Sequence, residues 1–282
     1  MHPFWDLGPR KNPAWSNAAV TRRWNAIERV VGKKHMPLRS GAKLKEYGVG
    51  RYGVALPTVT KGVVLKVTTD ESEALVASWL AAQPKPPKGV VRYLHVLKVP
   101  QEHRGRTVYL LWREEASFVG AVGLWARSKG LRDAWKIEDG LLEQTTSTAQ
   151  SLVRRILTHP EETRRFREAA TRGYKRAMAL PKNKMVARFF ALQKMKPGKG
   201  DDTTVERVLL GARILTHGKV LPDVGRAMLE SFRRGVFLSD VHTGNVGVAH
   251  RGKADVVVVT DPGNAIPVAA RRRASGITTL RA

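Results

Sequence analysis

In the last sixth of the chain, the run Ser239-Asp240-Val241-His242-Thr243-Gly244-Asn245 is followed by Thr260-Asp261-Pro262-Gly263, in which Asp261 stands sixteen residues after the asparagine. Between them lie Val246-Gly247-Val248 and Ala254 to Val259, apolar and β-branched segments that read as the two strands of a hairpin. A hairpin brings the chain back to where it started. Any fold that keeps it therefore holds Asn245 close to Asp261, with Asp240 five residues upstream on the same loop. The bland alternative is an Asx-rich loop with no chemistry of its own.

A second pattern lies far upstream. Gly48-Val49-Gly50-Arg51-Tyr52-Gly53 is a G-x-G-x-x-G run, and Lys66 follows thirteen residues beyond Gly53 inside Gly62-Val63-Val64-Leu65-Lys66-Val67. The glycine run also matches a dinucleotide fingerprint, which requires a helix to open at its third glycine. Here Gly53 leads into Val54-Ala55-Leu56-Pro57-Thr58-Val59-Thr60, β-branched and containing a proline, so a glycine-rich hairpin is the better reading. A lysine in an apolar strand is costly unless it is paired. The candidate partner is Glu73, one turn into a helix expected over residues 70–80, with Glu71 read as a charge at the helix N-terminus.

Taken in order, these residues resemble the protein-kinase-like superfamily. Asp240-Val241-His242-Thr243-Gly244-Asn245 resembles its D-x-H-x-x-N catalytic loop, and Asp261-Pro262-Gly263 its D-F-G. The resemblance implies an ATP- and Mg2+-dependent phosphotransferase with an alcohol acceptor. Gly48, Gly50 and Gly53 would cover the nucleotide phosphates, and Lys66, held by Glu73, would contact them. Asp240 would act as the catalytic base, and Asn245 and Asp261 would hold Mg2+. His242 would order the loop. Leu111-Trp112-Arg113-Glu114-Glu115 would be the hinge against which adenine sits, Glu114 among the nucleotide-binding residues, and ATP would bind in a cleft between a small sheet lobe and a helical lobe.

The departures from that pattern bear on the acceptor. Leu238 and Ser239 stand where most protein kinases have His and Arg, and Pro262 replaces the aromatic after the second aspartate. Nineteen residues follow Gly263, so the reading expects no activation segment, while about 120 residues separate the hinge from the loop. That layout is similar to aminoglycoside and choline phosphotransferases. The expected activity is that of a compact, atypical Ser/Thr protein kinase, of a kind that would suit a phage. The alternatives are a small-molecule kinase and a kinase-fold pseudoenzyme that binds nucleic acid or an acidic partner.

Charge is the strongest global signal: 50 Lys and Arg against 24 Asp and Glu give +26. Such an excess attracts polyanions, nucleic acid first among them, or acidic proteins. Residues 151–199 hold fourteen basic and three acidic residues, and Arg271-Arg272-Arg273 precedes Ala274-Ser275, a sequence like those before serine in many kinase substrates. With no cysteine, disulfides, thiolate zinc sites and cysteine nucleophiles are excluded. Apolar runs fall short of the ~20 residues that span a bilayer. The N-terminal sequence lacks the layout of a secretory signal. A cytoplasmic protein without a membrane partner is expected.

The expected fold class is α+β and bilobal: a small antiparallel sheet with one helix, then a larger, mainly helical lobe. Residues 1–41 form an N-terminal helix (Asn17 to Val31) and linker, 42–115 the nucleotide-binding lobe, 116–263 the helical lobe with its catalytic loop and hairpin, and 264–282 a basic tail. Five antiparallel strands are expected in the small lobe, the last two over Val90 to Val99 and Thr107 to Trp112.

Overall fold

The computed structural model describes residues 53–58, 60–103, 106–117, 121–147, 149, 152, 155–156, 159–194, 200–262, 265–268 and 278–279. They form an α+β protein that divides into two compact units.

The first unit is built on strands. β1 (Gly53–Pro57) pairs antiparallel with β2 (Val63–Thr68), which places Ala55 opposite Lys66. The turn between them is tied by Thr58, whose hydroxyl donates to the Val63 carbonyl at 2.9 Å. β2 also pairs with β4 (Arg106–Glu114), Lys66 lying opposite Leu111, and β4 pairs in turn with β3 (Tyr93–His103). α1 (Glu71–Ala81) packs on β3 and β4 through a face of Ala74, Ala77 and Leu80. Its start is set by Asp70, whose carboxylate accepts the Ser72 amide at 2.9 Å and the Glu73 amide at 3.3 Å. This is the N-cap bond that satisfies donors left open in a first helical turn.

Two expectations for this sheet need correction. Its fifth described strand is β9 (Thr278–Thr279), which lies parallel to β3, so the order is β1-β2-β4-β3-β9 and the sheet is mixed. Part of the segment read as a basic tail thus pairs with the sheet. The strand expected from Val90 begins instead at Tyr93. Val90 bridges to Val259, and the Val91 amide donates to the Val259 carbonyl at 3.0 Å, so residues 85–91 belong to the second unit. The helix expected over Asn17 to Val31, and Gly48 and Gly50, lie outside the described residues.

The second unit is mainly helical: α2 (Ala121–Ser128), α3 (Arg132–Ser147), α4 (Thr163–Ala179), α5 (Lys182–Gln193), α6 (Asp201–Leu215) and α7 (Pro222–Arg233). α6 is the central helix, with Val205, Val208, Leu209, Leu210, Ala212 and Leu215 buried against α3, α4, α5 and α7. Close crossing requires small residues. A Cβ on Gly173 of α4 would lie 2.4 Å from the Asp202 carbonyl oxygen.

After α7 come β5 (Val236–Phe237), then β6 (Val246–Arg251) and β7 (Ala254–Val259), which form the expected hairpin, and β8 (Ile266–Pro267), which returns to pair with β5. Among the described residues no helix is long and apolar enough to cross a membrane.

The basic tract does internal work. Glu206 of α6, with 3% of its side chain exposed, receives Arg176 of α4 at 2.7 Å and Arg188 of α5 at 2.8 Å. Arg176 also reaches Asp202 at 2.9 Å, and Arg155 bridges Glu162 and Asp201 at 2.8 and 2.5 Å. Asp202 is held below the usual carboxylate range: burial works against this, and Arg176, the Thr203 amide and Arg172 outweigh it. Part of the positive charge in residues 151–199 is therefore spent joining helices.

Candidate functional site

In the first unit, Lys66 and Glu73 meet. Lys66 Nζ lies 2.6 Å from Glu73 Oε1, with 9% and 2% of the two side chains exposed. The seven-residue spacing works because only Thr69 and Asp70 separate the last residue of β2 from α1, and the Asp70 cap turns the helix at once. Glu71 lies in the first turn, as a charge complementing the helix dipole would.

Gly53 opens β1. At the far end of β4, Glu114 is engaged within its own sheet. Its carboxylate accepts the Arg92 amide at 2.8 Å and its own amide donates to the Arg92 carbonyl at 2.9 Å. The Glu115 amide donates to the Gly62 carbonyl at 2.8 Å. Trp112 is half-buried and tilts against His95, ring centroids 5.7 Å apart.

In the second unit the hairpin does what its sequence implies. Val246 pairs with Val259, and the Thr260 amide donates to the Asn245 carbonyl at 2.7 Å, so Asn245 and Asp261 stand at the same end of it. The Asn245 side-chain NH2 donates to the Asp240 carbonyl at 2.7 Å. This commits its Nδ2 to the loop and makes Oδ1 the end with lone pairs for a cation.

The Gly244 amide donates to His242 Nδ1 at 3.0 Å, which places the proton of a neutral ring on Nε2. That nitrogen lies 3.8 Å from Asp240 Oδ1, beyond hydrogen-bond distance. Gly244 is small for a reason: a Cβ there would stand 2.6 Å from His242 Cε1. His242 orders the loop from within.

The loop also has an outer support that the motifs did not show. Thr243 donates its amide to Glu143 of α3 at 2.8 Å, and its hydroxyl meets both Glu143 Oε1 at 2.5 Å and Asp139 Oδ1. Glu143 is held below the usual carboxylate range. Burial would raise it, and the Thr243 hydrogen bonds and the nearby His242 outweigh that. One turn earlier, buried Glu138 accepts the amides of Lys219 at 2.6 Å, Val220 at 3.1 Å and Leu221 at 2.6 Å, ahead of α7. α7 has no side-chain cap of its own, and Glu138 instead gathers the amides of the turn leading into it, the last of them that of Leu221 at the helix N-cap. The available sequence signal was an i,i+4 pair of acids on one helix of a chain short of acids.

Among the described residues no three His, Cys, Asp or Glu side chains converge as a metal cage. Mg2+ is usually held by one or two protein oxygens together with phosphate oxygens and water. An amide and a carboxylate at one end of a hairpin fit that ion.

Comparison with family models, with curated proteins and with solved structures finds no match.

Proposed function

We propose that this chain is an ATP- and Mg2+-dependent phosphotransferase of the protein-kinase-like kind, transferring phosphate to a hydroxyl of a protein Ser or Thr. The observation that carries the reading is the buried pair Lys66–Glu73. A buried ion pair is weak evidence for stability, since apolar residues of the same volume serve as well or better. Such a pair is better explained by work done on a ligand.

Phosphoryl transfer needs little covalent help. It needs alignment and neutralisation of charge on phosphate oxygens. Lys66, oriented by Glu73, supplies a fixed cation for the nucleotide phosphates. Asp240 orients the acceptor hydroxyl and takes its proton. Asn245 Oδ1 and the Asp261 carboxylate would hold Mg2+, which supplies neutralisation and alignment when bound. His242 and Gly244 keep Asp240 and Asn245 in register.

For the acceptor, the +26 charge favours an acidic protein, and a small hydroxylated compound of the aminoglycoside or choline type is the alternative. The polyanion-binding reading is weakened by the internal pairing of Arg155, Arg176 and Arg188. Calorimetric titration with MgATP tests the reading. Wild-type protein is expected to bind, and Lys66→Ala and Asp261→Ala each to weaken binding at least tenfold, as loss of a charge-assisted contact does. Equal affinity in all three proteins would remove the proposal.

A further inference from the structure

We infer that α3 is the frame of the loop, and that Glu143, assisted by Asp139, is a positioning residue for Asp240 and Asn245. The inference rests on the phosphotransferase reading for its kinetic consequence, and on geometry alone for its structural one.

Between Ser239 and Asn245 the bonds internal to the loop run from Asn245 to Asp240, from Gly244 to His242 and from the Asn245 amide to the His242 carbonyl, the last at 2.8 Å. They give the loop a shape without attaching it to anything. Attachment at one end is the hairpin, through Thr260 and Asn245. Near the middle it is Thr243, and both of its donors, amide and hydroxyl, go to α3 across about a hundred residues of sequence. A hydroxyl carries one hydrogen, so it serves Asp139 and Glu143 in competition, whereas the Thr243 amide bonds Glu143 alone. Glu143 is therefore the stronger anchor and Asp139 the weaker.

The same helix fixes the approach to the loop. Glu138 gathers three successive amides at the entrance to α7, the helix whose end leads through β5 to Ser239. Two successive turns of α3 thus hold the segment that delivers the loop and the loop itself. Removing Glu143 takes away the bonds that tie Thr243 to α3 and so loosens the loop that carries Asp240, and displacement of a reacting group by about 1 Å can cost on the order of a hundredfold in rate.

The test is amide hydrogen exchange on the full chain, read at Thr243, Gly244 and Asn245 in wild type, Glu143→Ala, Glu143→Gln and Thr243→Val, with phosphotransfer kinetics beside it. Glu143→Ala should speed exchange at these amides about tenfold or more, leaving the β6 and β7 amides protected, and should lower kcat with little change in KM for ATP. Glu143→Gln, which keeps an acceptor oxygen, should restore part of both. The double variant Glu143→Ala/Thr243→Val should fall well short of the sum of the two single effects, because the bonds between Thr243 and Glu143 are lost only once and the hydroxyl then gives up only its bond to Asp139. Unchanged exchange in Glu143→Ala, or additive effects in the double variant, would overturn the inference. Absence of turnover in wild type would count against the phosphotransferase reading alone, because the exchange result still decides the role of Glu143.

Discussion

Lys66 and Glu73 form an ion pair at 2.6 Å that is almost sealed from solvent, one residue on β2 and the other in the first turn of α1. Breaking such a pair strands a charge, whereas replacing both members by apolar residues is often neutral. Glu73→Ala should therefore destabilise the chain by about 3–5 kcal/mol. Lys66→Met/Glu73→Leu should unfold near the wild-type urea midpoint yet fail to bind MgATP. A double variant that binds MgATP normally would make the pair structural.

Acid should act on the α3 anchor with a defined sign. The groups facing Glu143 are Asp139 on its own helix and His242 and Thr243 on the loop, and its carboxyl is held below its ordinary value. Its contribution to stability is complete above the unfolded value of about 4.3 and is lost as pH falls through the lower folded value. Urea midpoints measured from pH 7 down to pH 3 should fall less steeply at the acid end in Glu143→Gln than in wild type. Parallel curves would show that the carboxylate is not coupled to folding.

Two glycines offer opposite outcomes from one substitution. Gly173→Ala forces a methyl group to within 2.4 Å of the Asp202 carbonyl and should cost about 1–3 kcal/mol by overpacking. Gly140, inside α3 with open space around its Cβ position, should gain about 0.5–1 kcal/mol as alanine, from helix propensity and lost freedom in the unfolded chain. Denaturant midpoints of the two variants check both signs.

Glu206 predicts how the basic tract divides. Arg176→Gln/Arg188→Gln leaves a carboxylate that is 3% exposed without its guanidinium partners, and should destabilise by about 3 kcal/mol or more. Lys182→Gln/Lys184→Gln, at exposed positions, should stay within about 0.5 kcal/mol of wild type. Equal effects would mean that the arginines are a solvated surface like the lysines.

What could be read from the sequence was local. The helical segment after Lys66 with Glu71 as its first-turn charge, the apolar strand around Lys66 and the hairpin of β6 and β7 are settled by neighbours in the chain, and the structure shows α1, β2 and the hairpin where those signals put them, with Asp70 capping the helix instead of lying inside it. What could not be read depends on distant partners. Val90 and Val91 look like the start of the next strand, but Val90 bridges to Val259, with the hydrogen bonds made by its neighbours Gly89 and Val91. Thr278 and Thr279 carry ordinary β propensity and nothing that names β3 as their partner. Glu143 and Asp139 look like solvated helix charges until Thr243, about a hundred residues away, is seen beside them. Gly48 and Gly50 rest on the sequence alone.

Asp240 is the group proposed to direct the acceptor hydroxyl. The most direct measurement incubates wild type and Asp240→Asn with γ-labelled ATP, Mg2+ and a lysate separated into protein and metabolite fractions. Wild type should transfer label to the protein fraction, while Asp240→Asn binds MgATP equally well and turns over about a hundredfold more slowly or less, the scale expected for loss of a base that acts in the transition state. Label in the metabolite fraction alone would move the acceptor to a small molecule. Transfer at the same rate by both proteins, or by neither, would contradict the account.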